Sequence, residues 1–254
     1  MTRRLLPVLL AGILALVSLP AHADVSMKTT VTIAGPTVVE MSSVTYLKGS
    51  KLRTDMKAGG QDMSLVVDLT TKEQLLLNHG TKEIQKFDSS AAMAALPVTI
   101  GEVTVSSKPT GEKREILGRS CQGYALRVSM PMTVGGETVT LVMDGPVWVT
   151  ADGPEAAEYR RFYKEAAAAG INATPLAQGP QAKGLAEAQN ALAALGIPLE
   201  QEMRLSMEGG GQMAAAMSQM QASMKTSVTD VSMAPIADAV FALPSGYTRK
   251  QERP

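Results

Sequence analysis

Strict alternation of apolar and polar side chains runs through both ends of this 254-residue chain, and it admits little besides an antiparallel sheet. Met27, Thr29, Val31 and Ile33 fall on one side of a strand, with Lys28, Thr30 and Thr32 on the other. Leu52, Thr54 and Met56 oppose Lys51, Arg53, Asp55 and Lys57, and Met63, Leu65, Val67 and Leu69 oppose Asp62, Ser64 and Asp68. A period of two sends one face to a core and leaves the other wet. Turn signals at Lys48-Gly49-Ser50, Gly59-Gly60 and Asn78-His79-Gly80 leave room only for antiparallel neighbours. Val39 and Met41 are out of phase with Val44 and Tyr46, which predicts a slipped pleat, a bulge, near Ser42 and Ser43.

After an Ala-rich piece from Ser89 to Leu96, read as a short helix or loop, the alternation resumes. Strands are expected over Glu102 to Ser107, Lys113 to Leu117, Gln122 to Met130, Thr138 to Asp144 and Pro146 to Thr150, with a last pair from Leu199 to Met207 and from Thr226 to Met233. Residues 154 to 196 interrupt the pattern. Pro154 follows Asp152-Gly153 as a helix start, Tyr159, Phe162, Tyr163 and Ala166 recur at helical spacing, and Gly170 closes the run. Leu185, Ala188, Leu192 and Leu195 form a second stripe ending at Gly196, and the Gly/Pro/Ala/Gln-rich stretch between the two helices reads as an exposed linker. Two amphipathic helices inserted between strands need an apolar partner, and the sheet is the nearest one.

The N-terminus carries an address. Arg3-Arg4, an apolar run from Leu5 to Val17 and Ala21-His22-Ala23 before Asp24 predict a secretory signal peptide over residues 1–23, cleaved after Ala23 and too short to span a bilayer. Asp24, where a lipoprotein would place cysteine, predicts a soluble, unlipidated product with no membrane span. Beyond the leader, 22 basic side chains face 24 acidic ones, without the basic stripe that a nucleic-acid partner requires. Cys121 is the single cysteine, so no internal disulfide forms, and it reads as a half-buried small residue entering a strand.

The residues of ordinary catalysis are missing. With His22 in the leader, His79 is the one remaining imidazole, read as a solvated turn residue, and no Gly-rich phosphate loop or G-x-S-x-G elbow is present. The pair Glu155 and Glu158 reads as solvating partners of Arg161 and Lys164. These features predict no enzyme and no cofactor. Asn172-Ala173-Thr174 has a sequon-like form. Met213, Met217, Met220 and Met224 share one helical face, where thioethers suit Cu(I); the competing reading, favoured because no His or Cys is near, is an adaptable apolar stripe and no metal site.

Several stretches together resemble the exported bacterial DUF4412 family, itself similar to the LolA/LolB lipoprotein carriers. They are Tyr46-Leu-Lys-Gly-Ser-Lys51-Leu-Arg53, Val66-Val-Asp68 to Leu75-Leu-Leu-Asn78-His-Gly, Lys82 to Asp88, Gly118-Arg-Ser-Cys121-Gln-Gly-Tyr124, Val147-Trp148-Val149-Thr150, Gly196-Ile-Pro-Leu199 and Phe241-Ala-Leu-Pro-Ser-Gly-Tyr247. Thr70-Thr71-Lys72 departs from the Asp-Gly turn of the carriers, and the Met-rich stretch is not a carrier signature. The resemblance implies a mainly β (α+β) chain: an open antiparallel half-barrel of LolA-like type, one domain over residues 24–254, with the helical insertion 154–196 covering its concave face. It also implies a periplasmic binding or carrier protein that holds a lipid or lipoprotein acyl chain. Leu65, Val67, Tyr124, Leu126, Trp148, Tyr159, Phe162, Met203 and Leu205 are the expected lining of that hollow, and Arg53, near the cavity mouth in the carriers, reads here as a solvated outward charge. The alternative is a periplasmic sensor or assembly module that binds protein partners and packs its hollow with its own side chains.

Overall fold

The computed structural model describes residues 23–35, 37–87, 98–134, 136–171, 173, 182–209 and 222–250. Six strands follow in succession, β1 (Val25–Ala34), β2 (Val39–Lys48), β3 (Lys51–Ala58), β4 (Gln61–Asp68), β5 (Glu73–Asn78) and β6 (Glu83–Lys86). Short turns make each the antiparallel neighbour of the one before. A second meander holds β7 (Val98–Ile100), β8 (Thr104–Ile116), β9 (Arg119–Val134), β10 (Glu137–Thr150), β11 (Ile197–Glu208) and β12 (Ala222–Ser232). The first and last of these twelve pair antiparallel, β1 with β12, and so stitch the two meanders into one sheet. Its order is β13-β6-β5-β4-β3-β2-β1-β12-β11-β10-β9-β7, where β13 (Thr248–Arg249) adds a short parallel edge and β8 pairs with β9. The sheet is open, because its two edges do not meet.

Curvature follows from what the strands share. One cavity touches Met63 of β4 and Leu126 of β9, which stand seven steps apart in the strand order. Flat strands at about 4.8 Å spacing would separate them by roughly 34 Å, so the sheet must curl toward that face.

Between β10 and β11 lie the two helices, α1 (Pro154–Ala168) and α2 (Ala182–Leu195). Gly153 at φ 94° and Pro at the first helical position start α1. It ends in a Schellman cap: Gly170 at φ 71° donates to Ala167 O and Ile171 to Ala166 O at 2.8 Å. Its apolar stripe, Ala156, Tyr159, Phe162, Tyr163 and Ala166, is buried against Val25, Leu47, Leu52, Leu65 and Val67. Ala188 and Leu192 of α2 pack on Leu126, Val128, Met143 and Met203. On the opposite face Val66, Leu75, Leu77 and Ile84 form a third cluster, covered by Leu243 and Tyr247 from the C-terminal segment.

Several expectations are corrected. No slip occurs at Ser42 and Ser43: β2 pairs in unbroken register with both neighbours, and the shift lies in β1 at Lys28/Thr29 against β12. Ser43 and Thr45 therefore face the curled side while Val44 and Tyr46 face outward. The expected break at Gly145-Pro146 falls inside one long strand, since a missing Cβ at Gly145 lets the chain pass Glu202, whose carbonyl would otherwise be 1.9 Å away. Likewise β8 runs through Pro109 and Gly111, bulging against β9 instead of ending. Ile171 and Ala173, expected in an exposed linker, are buried in the core. The Ala-rich piece before β7 and the sequon residues Asn172 and Thr174 lie outside the described residues.

Candidate functional site

A cavity of about 410 Å³ separates the curled sheet from the two helices. Under α1 the sheet is filled by the rung Val25, Leu47, Leu52 and Val67. One residue pair further along each strand the packing opens, and Met27, Thr29 and Val31 of β1 become floor, flanked by Thr45, Ser43 and Met41 of β2. From the other meander come Val228, Thr226 and Met224 of β12, Gln201 and Met203 of β11, Met143 of β10 and Leu126 and Val128 of β9. The roof is Tyr159 and Tyr163 of α1 with Ala188, Gln189 and Leu192 of α2.

Seven methionines line this space: Met27, Met41, Met56, Met63, Met143, Met203 and Met224. The register sets Met56 opposite Met63 and Met203 opposite Met224, so unbranched thioethers face the cavity from both meanders. Such side chains re-rotamer to fit ligands of varied shape at little cost. Between them runs a neutral polar band. Thr45 and Thr54 share a 3.1 Å hydrogen bond, Ser43 pairs with Thr29, and Thr226 stands opposite Gln201. Among the described lining residues there is no Asp, Glu, Lys or Arg.

Tyr159 accepts a 2.5 Å hydrogen bond from Gln189 Nε2, which links the two helices, and its ring lies 4.6 Å from that of Tyr163. Burial holds the Tyr159 hydroxyl well above the ordinary phenol range and pushes Tyr163 up to about 12. Both roof phenols are thus uncharged. Helix α1 is tied down by two acids expected to be solvated. Glu155 and Glu158 are 7% and 6% exposed. Arg119 Nε of β9 donates to Glu155 at 3.0 Å, while Arg161 donates to Glu158 at 2.6 Å and to the Gly49 carbonyl at 2.7 Å.

The nine lining residues expected from sequence divide. Leu126, Tyr159 and Met203 border the cavity together. Leu65, Val67 and Phe162 are in the packed core beneath α1. Tyr124 and Leu205 are half-buried in the cluster under α2 without bordering the cavity, and Trp148 lies under the Arg114 guanidinium, 3.9 Å from the ring centroid. Met224 belongs to β12 and lines the cavity, whereas Met213, Met217 and Met220 fall outside the described residues. The polar band was missed, although the phase break at Ser42 and Ser43 was its signal.

Charge collects on the opposite face. Arg53 is only 16% exposed, far from solvated, and donates to Asp55 at 2.6 Å, Ser64 at 3.2 Å and the Val240 carbonyl at 2.9 Å. Ser64 donates to Asp55 at 2.5 Å and stands 2.6 Å from His79 Nε2, whose Nδ1 lies 2.7 Å from the Tyr247 hydroxyl. With Ser64 donating to Asp55, His79 Nε2 is the donor to Ser64. His79, expected in solvent, instead ties the C-terminal segment to the sheet. Ser64 is fully buried, its hydroxyl hydrogen directed at Asp55. Cys121 is fully buried, and that burial raises its thiol above the usual range.

No described helix is long and apolar enough to cross a membrane, and no group of three or more His, Cys, Asp or Glu among the described residues could hold a metal ion. No family model and no curated protein matches this chain. Among solved structures, a LolA superfamily protein from Nitrosomonas europaea is similar over 87% of this chain and 90% of its own, with 7% identity and a TM-score of 0.31.

Proposed function

We propose that this chain is an exported, periplasmic binding or carrier protein for an apolar ligand, a lipid or lipoprotein acyl chain, held between the curled sheet and the helical insertion. The observation that carries this reading is the cavity of about 410 Å³, within the roughly 300–1,000 Å³ range of small-molecule sites and walled largely by Met, Val, Leu and Ala. Two neutral tyrosines and thioethers that adapt to a chain's shape support binding over catalysis. A hollow filled by the protein's own side chains, as a purely protein-binding module would have, fits this lining less well.

Each buried methylene contributes about 0.8 kcal/mol, so affinity rises about fourfold per added carbon until the cavity is full. Displacement of N-phenyl-1-naphthylamine by a homologous ligand series measures that slope. Ala188→Trp, which fills the space under α2, abolishes uptake of the probe and removes lipid that co-purifies with the secreted chain. A slope near zero, or lipid that stays bound in the tryptophan variant, sinks the proposal.

A further inference from the structure

The floor of the cavity is not uniformly greasy, and its polar part is placed with a regularity that the apolar-ligand reading alone does not require. The band has two parts: Thr29 pairs with Ser43 across β1 and β2, with Thr45 two positions along β2, and Thr226 pairs with Gln201 across β12 and β11. The β1–β12 register sets Val228 opposite Thr29 and Val31 opposite Thr226, so that the two parts are diagonal neighbours. One part lies on each meander, with Met56 and Met63 on one flank and Met143, Met203 and Met224 on the other. No ionised side chain is among the described residues lining this cavity. Lys28, Arg53, Asp55, Lys57 and Asp62 border a second hollow of about 420 Å³, which shares Thr29, Ser42, Ser43, Met56 and Met63 with the cavity, and there Lys28 pairs with Asp230, Arg53 with Asp55 and Lys57 with Asp62.

A saturated chain laid across this band would strip water from hydroxyl and amide groups and return no hydrogen bond, a loss that grows with every group covered. A carboxylate or phosphate seated there would meet no cation and would leave water uncompensated. An ester or amide avoids both penalties. Its carbonyl accepts from Thr, Ser or the Gln201 amide, while hydrocarbon on either side lies against thioethers.

We infer that the ligand is an uncharged acyl amphiphile whose ester or amide linkage sits on the Thr29–Ser43–Thr45–Thr226–Gln201 band, and that the cavity discriminates against the corresponding free fatty acid. This deepens the reading proposed above and rests on it. The secreted chain is titrated at pH 8 with N-phenyl-1-naphthylamine bound. Competitors are a monoacylglycerol, a fatty-acid methyl ester, the free fatty acid and the alkane, all of one chain length.

The two esters displace the probe best. The alkane is about tenfold weaker, reflecting two lost hydrogen bonds. The fatty acid is weaker by about 100-fold or more, reflecting an unpaired buried charge. In Gln201→Leu combined with Thr226→Val, the advantage of the ester over the alkane disappears. A fatty acid that competes as well as its methyl ester overturns the inference and leaves the apolar-ligand reading standing, as does an alkane equal to the ester. Failure of every competitor, with no probe uptake, removes both.

Discussion

At the scale of single residues, position on a face decides role more than chemical type does. Thr45 and Thr30 are the same amino acid, yet one borders the cavity and the other lies on the outward face of its strand. Gly145 is required for want of room: a Cβ would sit 1.9 Å from the Glu202 carbonyl. Gly145→Ala should therefore cost about 1–3 kcal/mol or more, read as a lower urea midpoint with an unchanged slope. Phe162, fully buried at the centre of the α1 stripe, should cost about 3–5 kcal/mol on change to Ala, measured the same way. Tyr163 gives a pH signature. The unfolded chain releases this phenolic proton near 10 and the folded chain near 12, so the folded state binds more protons in that window and stability falls as pH rises through it. Urea midpoints taken between pH 9 and 12 should decline less steeply in Tyr163→Phe; an unaltered decline would exclude the assignment.

At the scale of elements, attachment differs between the two helices. α1 is held by arginine pairs from β9 and from its own next turn, besides its aromatic stripe. α2 meets α1 through the Gln189–Tyr159 hydrogen bond and otherwise rests on small and aliphatic side chains. Glu155→Leu with Glu158→Leu leaves Arg119 without its carboxylate and Arg161 with Glu165 alone, and should loosen α1 by about 1–3 kcal/mol, the arginines being partly solvated. Hydrogen exchange across residues 156–166 should then quicken while β3 and β4 keep their protection. The strands were legible because alternation is local, and so were both helices with their glycine stops. The burial of Glu155 was not, because a carboxylate on the polar side of an amphipathic pattern becomes buried only when Arg119, 36 positions back in sequence, arrives from the sheet.

At the scale of the whole molecule, two covers serve two faces of one sheet: the helical insertion on the curled side and the C-terminal segment on the other. Removing residues 233–250 should expose Val66, Leu75, Leu77 and Ile84, raise the binding of an apolar dye and cut the midpoint for unfolding, whereas Tyr247→Phe should only weaken the segment's hold on His79. The sequence alone determined the antiparallel strands, their turns and the helical interruption, since each depends on neighbours a few residues apart. Three of the nine expected lining residues border the cavity, because alternation identifies which face of a strand is apolar but not where along that face packing stops. Only the tertiary structure decided that point. Once β1 pairs with β12 and the sheet curls beneath the helices, Leu65, Val67 and Phe162 are sealed, while methionines and a band of neutral hydroxyls a rung or two further along are left facing open space.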